Sequence, residues 1–209
     1  TLSLHDALPI FILILLYVNH ELTFDRFHKN YKNIYKLTLG NNFYTMAPFA
    51  VLLKDKVPEI EKIARIDFQM GGGKSPLLKV KKGNESKTLK VNDIIYADST
   101  FFDIFSFRVI RGDAKRSLAE VNSIVLTEST ADKLFGNDDP VGKTIEFIGT
   151  NESPRLDYTV SAIVEDNPAN SSIKFNGIVS FNTLKIIKPG GVDVDRSEEH
   201  TSELQSRQS

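Results

Sequence analysis

The stretch Ser123-Ile-Val-Leu-Thr-Glu-Ser-Thr-Ala-Asp-Lys-Leu-Phe-Gly136, followed by Asp139-Pro-Val-Gly-Lys-Thr-Ile-Glu-Phe-Ile148, decides the fold class. Ser123–Leu126 is a short aliphatic run of the kind that makes a buried strand. Thr127 stands where a helix N-cap belongs, and the helix it opens runs to Phe135. Gly136 occupies the position where a left-handed residue ends a helix. Pro140 and Gly142 then turn the chain towards a second strand. Short strands mixed irregularly with short helices predict an α+β domain rather than a doubly wound α/β sheet.

Working outward towards the C-terminus, Lys143–Ile148 and Tyr158–Val164 alternate and predict a strand pair joined by a polar loop. Asp166-Asn-Pro-Ala-Asn-Ser-Ser172 is a turn cluster, and Phe175–Phe181 reads as a last strand. Towards the N-terminus, Phe107–Ile110 reads as a strand closed by Gly112 and Asp113. Ser99–Phe105 reads as a short helix capped by Asp98 or Ser99, and Ile94–Ala97 as a short strand. Leu77–Lys81 and Lys87–Val91 flank Gly83 as a hairpin. Gly71–Gly73 reads as a flexible turn, and a strand is expected around Ala64–Phe68. Met46–Val57 reads as a helix with Pro48 in its first turn and Pro58 at its end. No internal repeat is present.

The N-terminal part is less determinate. Between Asn19 and Lys36, Leu22, Phe24, Phe27, Tyr31, Ile34 and Tyr35 recur mostly at three- and four-residue steps. That spacing predicts an amphipathic helical stretch, with Thr23 or Asp25 able to open a second helix. Ile34–Leu39 alternates weakly, as a strand would. Phe11–Val18 is wholly apolar but only eight residues long, against the ~20 that span a bilayer. A buried segment of a soluble core and the last two turns of a membrane helix both fit it. Tyr17 suits a membrane–water interface.

Composition excludes several function classes. The 209 residues are 41% hydrophobic and 25% charged with a net charge of −1, an ordinary globular balance. No field strong enough to recruit nucleic acid follows from it. Without cysteine there are no disulfides, thiolate nucleophiles or cysteine zinc sites.

Motifs that suggest chemistry fail in their details. Val141-Gly-Lys-Thr144 resembles the end of a phosphate loop, but five residues separate Gly136 from Gly142 where the motif needs four. A helix precedes it and a strand follows, the reverse of the order that aims helix N-terminal amides at phosphate. Gly71-Gly-Gly-Lys-Ser75 has Phe68 where the first glycine is required. His20-Glu21 begins like a zinc-protease helix, but Phe24 holds the place of the second histidine. Asp25 and His28 read as a surface pair across one helical turn. Lys79, Lys81 and Lys82 read as a solvated strand edge that discourages aggregation. Phe101, Phe102, Phe105 and Phe107 read as core rather than as a ligand pocket. No catalytic, cofactor-binding or metal-ligating residue is therefore assigned.

Both ends look foreign to the rest. Arg196-Ser-Glu-Glu-His-Thr-Ser-Glu-Leu-Gln-Ser206 resembles the in-frame translation of a common sequencing-library adapter. Thr1-Leu-Ser-Leu-His-Asp-Ala-Leu-Pro-Ile10 resembles another frame of the partner adapter. His5 and His200 accordingly leave any site under consideration.

Four blocks, in order, resemble the MacB-like periplasmic core domain of FtsX-type ABC permeases. They are Tyr17-Val-Asn-His-Glu-Leu-Thr-Phe-Asp-Arg-Phe-His28 continuing to Ile34–Leu37; Ala97–Phe107 with Arg111-Gly-Asp113; Ile124–Gly136 with Asp139–Ile145; and Tyr158–Ser172. The family carries its version of the first block directly after a membrane helix, so the resemblance implies that Phe11–Val18 ends such a helix. The expected organisation is a non-native tail at 1–10, the end of a truncated transmembrane helix at 11–18, a periplasmic core domain at 19–195 that is incomplete at its C-terminal end, and a non-native tail at 196–209. The implied function is coupling of ATP hydrolysis by a separate cytoplasmic ATPase subunit to export or mechanotransmission across the bacterial inner membrane. The implied partners are that ATPase, the inner membrane, a second permease copy or half, and a periplasmic or outer-membrane protein. The alternative is a soluble periplasmic binding or adaptor module with Phe11–Val18 in its core. The residues shared with the family specify turns, caps and strands, so no catalytic residue or cofactor follows from the resemblance.

Overall fold

The computed structural model describes residues 4–38, 48–68, 75–83, 85–113, 116–148 and 155–187. Helices α1 (Leu4–Leu22) and α2 (Phe49–Lys56) come first. Strands β1 (Ile66–Asp67), β2 (Leu77–Lys82), β3 (Glu85–Lys90) and β4 (Ile94–Ala97) follow, then α3 (Phe101–Ile104), β5 (Val109–Gly112), β6 (Ser123–Thr127) and α4 (Glu128–Phe135). The chain continues with β7 (Thr144–Ile148), β8 (Leu156–Val164), β9 (Gly177–Ser180) and α5 (Asn182–Ile187). Among the described residues the nine strands form one mixed sheet, eight of them in the order β1-β4-β9-β6-β8-β7-β2-β3 and β5 beside β8 off that path. Strand β8 is shared along one side: Leu156–Thr159 pairs with β7, and Ala162–Val164 pairs with β5. The pairs β4–β9 and β6–β8 are parallel. This is the α+β class that the sequence predicts.

Alternation splits the core into two layers. Ile94, Tyr96, Ile124, Leu126 and Val179 face α4 and α5 in one cluster. Their neighbours Ile95, Ala97, Val125 and Ile178 face an aromatic cluster on the other side. Strands β4, β6 and β9 are buried along their whole length, because interior strands of a two-sided sheet meet apolar layers on both faces. A bulge at Ser161 re-phases β8, so that Val160 and Ile163 join the first layer while Ala162 and Val164 join the second. The Ser161 hydroxyl lies 2.7 Å from the Ser117 carbonyl oxygen. Opposite the bulge the backbone of β5 comes so close that a Cβ on Gly112 would sit 2.4 Å from the Ser161 carbonyl oxygen.

Several sequence-based boundaries hold. The β2–β3 hairpin pairs Leu77 with Lys90 through Lys82 with Glu85, β4 spans Ile94–Ala97, and β7 pairs antiparallel with β8. Helix α4 buries Thr130, Ala131, Leu134 and Phe135, a single stripe, and Gly136 ends it at φ +63°. Pro48 stands just before α2. The residues Met46, Ala47 and Gly71–Gly73 lie outside those described.

Other expectations are corrected. Asn19–Lys36 is not one amphipathic helix: α1 stops at Leu22, turns follow, and Tyr31–Asn33 forms a single 3-10 turn. Ile34–Thr38 joins no strand. Thr127 sits at the α4 N-cap without a side-chain bond to the helix backbone; its hydroxyl instead meets that of Thr130 at 2.9 Å. Neither Asp98 nor Ser99 caps α3, whose N-cap is Thr100, because Asp98 is engaged by Arg65. The lysine-rich β2 is an interior strand, flanked by β3 and β7. Lys79 faces Glu146 at 3.4 Å, and the exposed edge is β3. Strand β5 starts at Val109, where pairing with Val164 of β8 begins, and Phe107 lies before it in the aromatic cluster. The last strand is confined to Gly177–Ser180, and α5 follows it.

Candidate coupling joint

Between Ile10 and Val18 helix α1 is apolar around its whole circumference, and these residues are exposed. None of the described helices is long and apolar enough to cross a membrane. Where α1 ends, the Thr23 hydroxyl donates back to the His20 carbonyl at 2.9 Å, which satisfies one of the carbonyls a helix end leaves free. Asp25 then adopts φ +56°, a left-handed conformation that stops helical continuation and that Asp tolerates better than most residues. This is why the periodic spacing of Asn19–Lys36 does not yield a helix.

The turn after α1 is clamped to the loop before β9. Asp25 N–H donates to the Asn170 carbonyl at 2.9 Å, and Asn170 Nδ2 donates to the Thr23 carbonyl at 2.8 Å. The Ser172 N–H donates to Asp25 Oδ1 at 2.8 Å. A second clamp lies on the segment between α3 and β5. Ser106 N–H donates to His28 Nδ1 at 3.0 Å, and Lys29 N–H donates to Ser106 Oγ at 3.0 Å. Sequence separations of 77 to 147 residues divide these partners.

His28 is therefore a buried hydrogen-bond acceptor, only 3% exposed, and not the surface half of an ion pair. Its ring lies 4.0 Å from Phe27 and 5.3 Å from both Phe105 and Phe107, centroid to centroid. Burial pushes its pKa below the usual 6.5, and the nearby charge of Asp25 partly opposes that. Its Nε2 is buried and has no hydrogen-bond partner among the described residues. Phe107 carries the contact inward, packing on Phe27 at 5.5 Å and on Phe175 at 4.9 Å. The four phenylalanines read as core are core: Phe101 and Phe107 are buried, with Phe102 and Phe105 packed against them.

The same loop reaches α4. The Asp166 carboxylate accepts from the Ser129 N–H at 3.2 Å and from the Ser129 hydroxyl. It caps the helix from another part of the chain and puts negative charge at its N-terminus. Asp166 thus takes the role that Thr127 has by position. Segments from all four of the blocks singled out in the sequence meet around this joint. In the sequence His28 was legible only as a surface partner of Asp25, and Asn170 and Ser172 only as members of a turn cluster; their place in those blocks was the further signal.

The residues with failed motifs are placed elsewhere. Gly142 N–H donates to the Val160 carbonyl at 2.8 Å, and Val160 N–H donates to the Lys143 carbonyl at 2.9 Å, so this backbone is spent on strand pairing. Lys143 Nζ lies 3.6 Å from Asp138. The Gly71–Lys74 part of the second failed motif lies outside the described residues. Among the described residues, no three His, Asp or Glu side chains are grouped to hold a metal ion. An open cleft of about 350 Å³ runs between α2, Ile63–Arg65 and the start of α3. Arg65 in its wall is committed, with Nε and Nη2 donating to the Asp98 carboxylate at 2.9 and 2.8 Å and Cζ 4.2 Å from the centre of the Phe181 ring.

A folded α+β module is thus bonded at two points to the end of the helix that precedes it. The chain belongs to the MacB-like periplasmic core domain family, whose model matches residues 10–202. Its fold is similar to a domain of a Porphyromonas gingivalis protein described as a permease, at 21% identity and a TM-score of 0.52 over 70% of this chain and 56% of that one. The chain thus spans little more than half of that relative. The periplasmic region of MacB from Actinobacillus actinomycetemcomitans matches at 19% identity and TM-score 0.44, over 76% and 73% of the two chains. The extracellular domain of the noncanonic ABC-type transporter YknZ from Gram-positive bacteria matches at 17% and 0.46, over 71% and 68%. No relative among the curated proteins matches the chain.

Proposed function

We propose that this chain is the extracytoplasmic domain of an ABC transporter permease subunit in the bacterial inner membrane. It couples ATP hydrolysis by a separate cytoplasmic ATPase subunit to export or mechanotransmission. The work is mechanical, with no chemistry at the domain itself. Residues 11–18 end a membrane helix, 19–195 form the periplasmic domain, and 1–10 and 196–209 are foreign to it. A second permease copy or half, and a periplasmic or outer-membrane protein, complete the assembly.

The observation that supports this reading is the two-point joint at the end of α1. A helix that shifts as a rigid body moves a domain only if its end is fixed to that domain, and here both Thr23–Asp25 and His28–Lys29 are bonded. A soluble module with Phe11–Val18 in its core is disfavoured, because those residues are between 43% and 66% exposed. The test uses the full-length permease reconstituted with its ATPase. Asp25→Ala combined with Asn170→Ala should leave ATP turnover intact and lower the export or force output per ATP. An unchanged ratio overturns the reading.

A further inference from the structure

The segment just past the joint has an unusual balance. Arg26–Thr38 contains Arg26, Lys29, Lys32 and Lys36, and neither Asp nor Glu. All four cations are exposed. So are Tyr31, Tyr35 and Leu37, with Tyr35 85% exposed. Lys32 Nζ lies 5.9 Å from the centre of the Tyr31 ring. Arg26 and Lys29 sit on the clamped turn itself, so the joint fixes where their side chains start. Cations near a membrane helix are ordinarily concentrated on its cytoplasmic side. Four of them beside the helix of a periplasmic domain work against that bias and call for another role.

We propose that Arg26–Thr38 is a basic, aromatic collar that docks on the anionic lipid headgroups of the membrane surface from which α1 emerges. The inference rests on reading α1 as the end of a membrane helix. Tyrosine rings favour the headgroup level, where an apolar body and a polar tip are both accommodated. Lysine and arginine close to an anionic surface gain attraction that decays within a Debye length. The apolar run ends at Val18, α1 ends at Leu22, and the collar begins at Arg26 on the clamped turn, which keeps both kinds of side chain near the end of the helix. Held there, the collar would set the height and tilt of the domain over the bilayer, which the joint alone does not fix.

The experiment is flotation of the full chain with vesicles of phosphatidylcholine, alone or mixed with phosphatidylglycerol, at low and high salt. Each cation near an anionic surface is worth about fivefold in partitioning, so Arg26→Gln, Lys29→Gln and Lys32→Gln together should cost on the order of a hundredfold on the mixed vesicles. Neutral vesicles should retain the wild type and the triple variant equally, through α1. Preference for mixed vesicles that disappears in the triple variant and at high salt supports the collar. Equal binding of the wild type to both vesicle types overturns the collar and leaves α1 as a membrane segment. A preference that survives the three substitutions also overturns it. Binding to neither vesicle removes the membrane reading together with the collar. Thermal unfolding of the triple variant should match the wild type, because the three side chains are exposed.

Discussion

The two faces of the sheet are covered in different ways. On one, α4 and α5 follow directly on the strands they cover, and the layer closes through aliphatic contacts and a Phe147–Tyr158 edge contact at 5.5 Å. On the other, the cover is α3, the turn after α1 and the loop before β9, and aromatic rings interlock with directional hydrogen bonds. The first face resembles any well-packed core, where many interchangeable contacts share the load. The second concentrates specific bonds at a few residues. Such bonds impose one geometry and can be broken one by one.

The largest expected effect is Phe107→Ala, which should cost about 3–5 kcal/mol. Its counterpart on the helical face, Leu126→Ala, should cost a comparable ~2–5 kcal/mol. Denaturant titration gives both totals, and amide exchange separates them. Phe107→Ala should expose the Ser106 amide well before global unfolding, because the ring it removes packs on both Phe27 and His28. If Leu126→Ala loosens Ser106 just as much at matched stability, the two faces form one cooperative unit and the contrast between them is void.

A smaller effect is expected from Asp25→Ala. It removes the acceptor for the Ser172 N–H, and Ser172 is exposed enough for water to substitute, so the lost bond should cost about 1 kcal/mol, with about 1 kcal/mol more for placing alanine at a left-handed φ of +56°. The change should be local: faster exchange at Ser172, with the denaturation midpoint of the sheet barely moved. A large drop in the midpoint would show that the clamp is part of the core rather than a separable joint.

The helical face was largely readable in the sequence, and the joint was not. The continuous apolar runs of Ile94–Ala97 and Ser123–Leu126 and the alternation of Tyr158–Val164 report burial directly, since each strand's environment is written in its own residues. Asp25 and Ser172 meet across 147 residues, so nothing in the local spacing of either reveals the other. The periodic aromatics of Asn19–Lys36 misled for a related reason. The clamped turn buries His28 and packs Phe27 against the aromatic cluster while leaving Phe24, Tyr31 and Tyr35 exposed, and the resulting spacing imitates a helical stripe. Strand order was also hidden. The lysines of β2 look like an edge, but the edge lies one strand further out, in β3.

The smallest effect is also the sharpest probe of the joint, because the helical face should not show it. His28 Nδ1 accepts the Ser106 N–H, so protonation at that atom removes the acceptor and turns one N–H against another. The ring's folded pKa lies below 6.5 because burial disfavours the charged form. The released state therefore binds more protons than the seated one at acidic pH. The contribution of this contact should be complete above pH 6.5, decline as pH falls below 6.5, and level off once pH is under the folded value. Ring proton shifts of His28, followed by NMR across pH, would show a titration below 6.5. Ser106 exchange, corrected for its intrinsic pH dependence, should rise in parallel. Asp25→Asn keeps an oxygen for Ser172 but removes the charge that opposes burial, so it should depress the titration of His28 further. A His28 that titrates at or above 6.5, or a Ser106 amide indifferent to acid, would mean that the ring is not seated in the joint as an acceptor. The difference between the two faces would then rest on the aromatic contacts alone.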